Sequence, residues 1–589
     1  MSNPISNRIT SPQIKSQQAP KKARFKEKGP KEKFVNLADT VGGSWHDQLA
    51  SLKPTLQARE DLGISGAVIS KENGEMIEKI LSDKTPTEDL GVIADRQMAE
   101  NGMVPEFTSP VKEAVAAITE APKPDHAAVV DLRHLAMVSV DNGDLNPVTG
   151  KLANASKDID QVEYAERMPN GNIKMLVGIA DVDSAVKKGD AIDNSAMRQG
   201  ATVYTDEKIF PMLPRELSED KTSLNGGEDR LAVIKEFQVT PEGTITEPKV
   251  YRAYVHNNAQ MAYDSVNEFL TDGDGARPPQ LQDPKLAEQI QLQDEAAQRL
   301  RVFFHGKGSL DIESSEAKNV KEDGKIVDMT KEIQTRAKDK VKYNMMAANI
   351  SSMRVLDEAG LPTLRRIVKT PEKWDQIVDL AKKYEYKLPS DPNAKALNAF
   401  LESRKEANPE AHEALSAKVV LLVGRGEYVV AKPDEPIEGH FALAAPDYGH
   451  TTAPNRRGPD LVNQRIEKAH AQGEDCPYSI EELEQLAEHF NKQESAIKNV
   501  ERRVHRSATA KLVKPLIGKS FDGRFHKELT HGSLVRVKEP FVTGMIKQKL
   551  EMEAGDPIRV KLTGVDVEKG HVDFEKASDQ MVEGFVLKE

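Results

Sequence analysis

Two kinds of pattern alternate through the middle of the chain, and this alternation limits the folds open to it. Short apolar runs typical of strands, such as Met175–Ala180 and Lys249–Val255, are separated by long stretches with helical spacing. These helical stretches lie near 285–303, 333–358, 460–472 and 479–515. Ser479 and Glu482 form a predicted capping box at the start of the last helix. The pattern predicts a mixed α/β (α+β) domain over residues 126–515.

The chain beyond residue 520 contains only strand and turn signals. Short strands separated by glycine and polar turns are predicted at 534–537, 558–562 and 572–574. A small terminal module made only of strands favours a barrel of the OB type. The pattern therefore predicts an all-β OB barrel over residues 516–589.

The first part of the chain differs from both of these regions. Residues 36–125 are predicted to form short helices, with apolar side chains at helical spacing. These side chains are Val92, Ile93, Met98, Val111, Val115 and Ile118. Residues 1–35 are rich in Ser, Pro, Gln and Lys, which predicts a disordered basic tail. Such a tail serves either a polyanionic partner or solubility alone, and the sequence leaves both open.

The charge of the chain is unevenly distributed. Acidic residues outnumber basic ones by 94 to 82, and a net charge of −12 argues against nucleic-acid binding through overall charge. However, residues 1–33 hold nine bases and two acids, and residues 501–550 hold twelve bases and four acids. Any binding of a polyanion is therefore expected at these two basic regions.

Several classes of protein are excluded by what the sequence lacks. A single cysteine, Cys476, excludes an internal disulfide framework and a cysteine-rich zinc site, and it favours the cytoplasm. The longest aliphatic run, Val419–Val423, is far shorter than the roughly 20 residues of a membrane-spanning helix. Gly518-Lys519-Ser520 lacks the first glycine of a P-loop, which would fall at Val513. We expect neither a membrane association nor a nucleotide cofactor.

The densest group of acidic residues comprises Asp141, Asp144, Asp158 and Asp160. Asp158 and Asp160 project to the same side of an extended segment, because side chains alternate with period two. Carboxylates that converge on hard cations are what metal-assisted phosphodiester hydrolysis requires. Asp-x-Asp is also common on solvated turns, so the pattern alone leaves both interpretations open.

Two further sites carry candidate binding residues. Arg456 and Arg457 are adjacent in a loop bounded by proline and glycine, where they could grip phosphates or serve as surface or helix-capping arginines. Glu501 lies on a helix whose apolar stripe includes Val500 and Val504. An ordinary amphipathic helix explains Glu501 equally well on this pattern alone.

A long ordered series of segments is similar to the ribonuclease II family, whose catalytic region is called the RNB domain. The series comprises Val177–Val182, Gly189, Asp193, Ala196, Arg198, Ala201–Tyr204, Pro211–Pro214, Leu217–Ser218, Ser223–Asn225, Asp229–Ala232, Met346–Asn349 and Tyr448–Asp460. The resemblance covers about 130–515, and the OB-like tail resembles the module that follows the RNB domain in this family.

The resemblance implies an activity and a metal site. Members of this family are 3′-to-5′ exoribonucleases that degrade single-stranded RNA to nucleoside 5′-monophosphates with magnesium. Their site carries four aspartates, the last two adjacent. The corresponding residues here are Asp141, Asp158, Asp160 and, in place of the fourth aspartate, Gln161. Asp144 competes with Asp141 for the first position. The expected cofactor is Mg²⁺, with Mn²⁺ as the alternative.

The same resemblance implies roles for three residues outside the acidic group. Tyr263 matches the aromatic residue that stacks on the 3′-terminal base, and Arg456 matches the arginine that holds the scissile phosphate. Glu501 matches the glutamate that supports the leaving end of the substrate. The catalytic set expected here is Asp160, Arg456 and Glu501, and the expected partner is single-stranded RNA.

Departures from the family pattern motivate two other hypotheses. Gln161 brings no charge to the metal site, and Lys342 stands where the family usually has acids. A catalytically weak or inactive RNB homologue that acts as an RNA-binding or adaptor protein is therefore the alternative. Residues before 125 lack the strands of the cold-shock barrels of well-known members, so the main function could also lie in that region. Protein partners of this region are not identified by the sequence.

Overall fold

A mixed seven-stranded sheet, in the order β1-β10-β9-β6-β5-β2-β11, forms the centre of the molecule. The computed structural model describes residues 70–577, apart from 146–151, 154, 272–277, 311–316, 323–324, 332 and 554. The sheet contains β1 (Val130–Asp131), β2 (Val138–Asp141), β5 (Gln161–Arg167), β6 (Ile173–Ala180), β9 (Asp229–Val239), β10 (Ile245–His256) and β11 (Ala259–Ala262). Its neighbours are antiparallel except for the pairs β1/β10 and β2/β11.

Both faces of this sheet are covered, as alternation along β6 illustrates. Leu176 and Ala180 belong to one buried apolar cluster, while Met175, Val177 and Ile179 belong to another. The second cluster includes α6 (Pro284–Lys307) and α7 (Arg336–Glu358), and the first includes α11 (Gly458–Gln472) and α12 (Ile480–Val513). The four helices predicted from spacing are these four, so the mixed α/β prediction is confirmed.

Smaller elements surround this centre. The remaining helices are α1 (Lys71–Ser82), α2 (Leu90–Glu100), α3 (Ser109–Ala116), α4 (Ala191–Gln199), α5 (Tyr263–Thr271), α8 (Trp374–Lys382), α9 (Ala394–Ala407) and α10 (Pro409–Val423). Short two-stranded pairs are formed by β3 (Asp144–Leu145) with β4 (Leu152–Ala153), β7 (Val203–Tyr204) with β8 (Ile209–Phe210), β12 (Ala317–Glu322) with β13 (Lys325–Lys331), and β14 (Thr363–Ile367) with β15 (Glu427–Ala431).

The C-terminal strands close into a five-stranded barrel, in the order β16-β17-β18-β20-β19. These strands are β16 (Ser520–Leu529), β17 (Gly532–Val537), β18 (Val542–Ile546), β19 (Pro557–Asp566) and β20 (His571–Lys576). Apolar side chains on alternate positions, such as Val535 and Val537 or Val560 and Leu562, fill the interior. The OB-type barrel expected from the sequence is confirmed.

Helix α12 connects the central domain to this barrel. Its 34 residues begin with the predicted capping box, in which Ser479 and Glu482 exchange side-chain and backbone hydrogen bonds. Ala510 and Val513 near its other end lie in the core of the barrel. Helix α2 packs beside it, because Ala94 and Met98 share a buried cluster with Val500 on α12.

Some details differ from the sequence prediction. Ile118 lies beyond the end of α3 and packs on the core from the following loop. Residues 1–35 fall outside the described part of the chain, so the disordered tail stays a prediction. Within the described part, no helix combines the length and the hydropathy required to cross a bilayer.

Buried ion pairs fix α11 against the sheet. Lys235 on β9 donates to Glu467 on α11 at 2.9 Å, and both side chains are fully buried. The next residue, Lys468, donates to Asp181 at 2.6 Å and to Asp183 at 2.7 Å. A charge in such a dry interior requires a partner, so α11 can dock in only one position.

We expect Glu467→Gln to lower the free energy of unfolding by about 3–5 kcal/mol, because it leaves the buried Lys235 ammonium without a carboxylate. Denaturant titration of both proteins measures the change. The matched control is Glu484→Gln, which removes a half-exposed partner of Lys432 and is expected to cost at most about 1 kcal/mol. Equal losses in the two variants would show that the buried pair is not a stabilising constraint.

Candidate active site

Two separate segments bring the acidic residues to one end of the sheet. Asp141 ends β2, which pairs with the edge strand β11 so that Ala262 lies opposite Asp141. Asp158 and Asp160 lie in the irregular segment that leads into β5, and β5 pairs with β2. Asp160 is only 1% exposed, and Asp158 is partly buried. The sheet order therefore places carboxylates that are distant in sequence next to one another.

The segment that carries Asp158 and Asp160 is fixed by a neighbouring turn. The Ser223 hydroxyl donates to the Lys157 carbonyl at 2.6 Å and accepts from the Ile159 amide at 2.9 Å. The amide of Leu224 donates to the Ile159 carbonyl at 3.0 Å. These bonds hold the backbone on both sides of Asp158, which limits how its carboxylate can move.

Arg456 reaches this acidic group from the loop that precedes α11. Its Nε donates to Asp160 Oδ2 at 2.7 Å, and the Asn455 amide lies 3.4 Å from Asp160 Oδ1. A backbone hydrogen bond holds this loop in place, since the Thr202 amide donates to the Arg456 carbonyl at 3.0 Å. Arg456 thus lies where the sequence predicted a phosphate-binding group, beside the predicted metal ligands.

The pKa values of the acidic side chains are shifted because negative charges lie close together in a buried part of the site. Burial raises the pKa of the Asp160 carboxyl to about 6, although Arg456 opposes this change. Burial also raises the pKa of Asp158, and the nearby charges of Asp141 and Glu219 raise it further. A cation placed among these groups would relieve both effects.

Tyr204 belongs to the site, although the sequence analysis gave it no role. Its side chain is 43% exposed. Desolvation raises the pKa of its hydroxyl, and the charges of the three aspartates add to this increase. The available signal was its place in the quoted Ala201–Tyr204 segment, but only the docking of β7 shows that the ring adjoins the acids.

Glu501 and Tyr263 also lie near the site. Glu501 Oε1 accepts the Tyr204 backbone amide at 3.0 Å, so this glutamate fixes the strand that carries Tyr204. Tyr263 is partly buried and follows Ala262, the strand partner of Asp141. The structure therefore brings Tyr263, Tyr204 and Glu501 to the same end of the sheet as the acids.

Arg457 is positioned differently from Arg456. Its guanidinium donates to the buried Asp460 at 2.8 Å, and Arg457 is the N-cap residue of α11. The Arg457 side chain makes no capping hydrogen bond to the helix backbone and instead pairs with Asp460, and a direct role of Arg457 in binding phosphate stays a prediction. The next residue, Gly458, has no room for a side chain, since a Cβ there would lie 2.7 Å from the Phe490 ring.

The predicted metal ligands supply suitable atoms but no ready-made site. Carboxylates of Asp141, Asp158 and Asp160 and the amide oxygen of Gln161 are the hard donors that Mg²⁺ prefers. Gln161 begins β5 and is 6% exposed. In the described part of the chain, however, no three Asp, Glu, His or Cys side chains are arranged to hold a metal ion. Asp160 is instead engaged by Arg456.

Family models decide the classification of the chain. Residues 131–473 match the model of the RNB domain, which covers more than half of the sequence. Residues 526–577 match the model of the RNase II-type exonuclease C-terminal S1 domain. The chain belongs to the RNB-domain family. The RNB domain thus contains the acidic site and Arg456, and the barrel is its S1 domain.

Curated relatives of this RNB-domain protein are named ribonuclease R. Ribonuclease R 1 of Lactococcus lactis is 26% identical over 522 residues, covering 83% of this chain and 61% of the relative. Ribonuclease R of Thermotoga maritima is 28% identical over 538 residues, covering 84% of this chain and 71% of the relative. The chain therefore spans less than two thirds of the length of the Lactococcus relative.

Solved structures agree with the fold of this RNB-domain protein. Mycoplasma genitalium RNase R in complex with ribose methylated single-stranded RNA superimposes with a TM-score of 0.73 at 22% identity, covering 83% of this chain and 78% of that one. The same enzyme in complex with double-stranded RNA gives a TM-score of 0.72 at 23% identity, covering 83% of both chains. At this level of identity the likeness establishes the fold.

A partly buried histidine near the Arg456 loop, His440, is expected to make the folded protein less stable in acid. His440 packs edge-on against Tyr448 at the start of this loop, and its Nδ1 accepts the Leu443 amide at 3.2 Å. Burial lowers the pKa of His440 to about 4. Since an unfolded histidine titrates near 6.5, the unfolded chain binds the extra proton first, and stability falls as the pH drops from about 6.5 toward 4.

We expect His440→Asn, which retains a side-chain acceptor but does not titrate, to lose less stability than the parent between pH 7 and pH 5. The difference should reach about 2 kcal/mol at pH 5, from about 1.4 kcal/mol per pKa unit. Denaturant titrations at both pH values measure it. Parallel losses in the two proteins would contradict the assignment of a neutral His440.

Proposed function

We propose that this protein is a 3′-to-5′ exoribonuclease that hydrolyses single-stranded RNA to nucleoside 5′-monophosphates in the cytoplasm. The observation that carries the proposal is the contact of Arg456 with Asp160, at 2.7 Å, within a group of carboxylates. This arrangement sets a phosphate-binding guanidinium beside oxygen ligands for a divalent metal. The similarity to proteins named ribonuclease R supports the same reaction.

Asp141, Asp158, Asp160 and the Gln161 carbonyl are the residues proposed to hold Mg²⁺ or Mn²⁺. When bound, such an ion neutralises phosphate charge and activates a water molecule. The protein's own groups position the substrate. Arg456 stabilises the charge that develops on the scissile phosphate, and the backbone bonds around Asp158 keep its carboxylate in place.

Two aromatic rings are proposed to hold the 3′ end of the RNA. Tyr204, a residue that is 43% exposed, offers its ring beside the acids, and Tyr263 follows the strand next to Asp141. A base stacked on such a ring contributes about 1–3 kcal/mol with little dependence on its identity. Glu501 acts on Tyr204 through its backbone amide, so we assign it a positioning role.

The basic surface near residues 501–550 is proposed to guide the strand. Arg502, Arg503 and Arg506 lie exposed on α12 close to the barrel, and Arg506 contacts the turn at Gly570. Desolvation where Arg506 lies against this turn lowers its pKa, and the charges of Arg502 and Arg503 lower it further. Such clustered positive charge attracts an RNA backbone, and this attraction weakens with salt.

Asp160→Asn tests the reaction. We expect the parent protein with Mg²⁺ to shorten a 5′-labelled single-stranded RNA and release mononucleotides, and the variant to lose this activity while still binding RNA. Gel analysis of the RNA and a filter-binding assay measure the two properties. The matched control is Asp379→Asn, which alters only a surface pair with Lys382 and should leave the cleavage rate unchanged.

The outcomes separate the hypotheses. Cleavage by Asp160→Asn at the parental rate would refute the site assignment. RNA binding by the parent protein without any Mg²⁺-dependent or Mn²⁺-dependent turnover would instead support an inactive RNB homologue.

The role of Tyr204 is tested by Tyr204→Ala and its control Tyr204→Phe. We expect the alanine variant to bind single-stranded RNA more weakly by about 1–3 kcal/mol, because the stacking surface is lost. The phenylalanine variant retains the ring and should bind like the parent protein. Fluorescence anisotropy of a labelled RNA measures both, and an equal loss in the two variants would point to the hydroxyl rather than to stacking.

A further inference from the structure

In its contacts with Arg456 and Asn455, Asp160 uses the same carboxylate oxygen atoms that would have to bind a metal ion. Asp160 Oδ2 accepts from Arg456 Nε at 2.7 Å, and Oδ1 faces the Asn455 amide at 3.4 Å. The Asp160 side chain is 2% exposed, whereas that of Arg456 is 43% exposed. The arginine therefore lies on the open side of the carboxylate. A cation that approaches Asp160 from solvent meets the guanidinium first.

The two partners of this ion pair would respond differently to its separation. A buried, ionised carboxylate without a cation is strongly disfavoured, so Asp160 in its charged form needs a counter-charge. The Arg456 side chain is partly open to solvent, so it can leave at smaller cost than Asp160. The loop around Arg456 stays anchored by two hydrogen bonds. The Arg456 carbonyl accepts from the Thr202 amide, and the Asn455 side-chain Oδ1 accepts from the Thr222 hydroxyl at 2.7 Å. Only the Arg456 side chain has to move.

We infer that Arg456 acts as the resident cation of Asp160 in the free protein, and that RNA opens Asp160 to the divalent metal by drawing Arg456 to its phosphate. The inference rests on the proposed function and on the observed contact between Arg456 and Asp160. The metal takes the place of Arg456 at Asp160, so a positive charge balances the negative charge of the carboxylate before and after the exchange. The same guanidinium then binds the substrate.

This exchange makes metal binding and RNA binding mutually dependent. If RNA removes the competitor of the metal, RNA must raise metal affinity, and by linkage the metal must raise RNA affinity by the same factor. Couplings of this kind are usually about 5-fold to 150-fold. A protein with a preformed metal site would show no such coupling through Arg456.

The first measurement uses the full-length protein without RNA and follows free Mn²⁺ by electron paramagnetic resonance. We expect Arg456→Gln to bind Mn²⁺ about tenfold more tightly than the parent, because the competing cation is gone. The control is Arg215→Gln. It removes a positive charge that pairs with Glu219, whose carboxylate acts on Asp158, but Arg215 has no bond to Asp160. Its effect on Mn²⁺ affinity should be clearly smaller.

The second measurement follows a fluorescent single-stranded RNA, ribose-methylated at its 3′ end to prevent cleavage, by anisotropy with and without Mn²⁺ at constant ionic strength. We expect Mn²⁺ to tighten RNA binding about tenfold in the parent and in Arg215→Gln. In Arg456→Gln the ratio of the two affinities should be clearly smaller than in the parent, whatever the absolute affinity, because only the direct contact of the ion with phosphate remains. This ratio is insensitive to the phosphate contact that the variant loses.

Each result has a definite consequence. The inference is overturned if Arg456→Gln binds Mn²⁺ no more tightly than the parent, or if Mn²⁺ tightens its RNA binding as strongly as it does in the parent. If the parent degrades unmodified RNA but shows no coupling, the proposed function stands and the inference fails. If the parent neither degrades RNA nor binds Mn²⁺ in the presence or absence of RNA, the proposed function fails with it.

Discussion

Buried charge pairs between α11 and the central sheet are the constraint on which the site depends. Lys235 meets Glu467, and Lys468 meets Asp181 and Asp183, all in an interior where an unpaired charge is costly. Apolar packing alone would tolerate small sliding of a helix, whereas these pairs are satisfied only in one register. The loop with Arg456 leads directly into α11, so the position of this helix also sets where the guanidinium meets Asp160.

The site itself is a balance of opposite charges held by separate parts of the chain. Asp141, Asp158 and Asp160 come from two segments that the sheet brings together, and Arg456 comes from a loop nearly 300 residues later. Gln161 leaves the group with less negative charge than four aspartates would have. In that setting a single arginine can satisfy the most buried carboxylate, which links the binding of phosphate to the availability of a metal ligand.

Much of the fold could be predicted because its signals are local. The alternating burial along β6 and the exchange of hydrogen bonds between Ser479 and Glu482 depend on residues that are close in sequence. Tyr204 and Gly458 could not be interpreted in this way. The Tyr204 ring joins the acids because Glu501, on a helix far along the chain, holds its backbone, and Gly458 is required because the Phe490 ring fills the adjacent space.

The sequence by itself determined the order of the elements, the family resemblance and the residues from which the site is built, since periodicity and motif order are properties of the chain. Net charge alone disfavours a nucleic-acid partner, whereas the local placement of basic residues near the barrel allows one. The tertiary structure alone decided which charges meet. It separated Arg456, which contacts Asp160, from its neighbour Arg457, which pairs with Asp460 in the first turn of α11, because the partner of a buried charge depends on distance in space rather than along the chain.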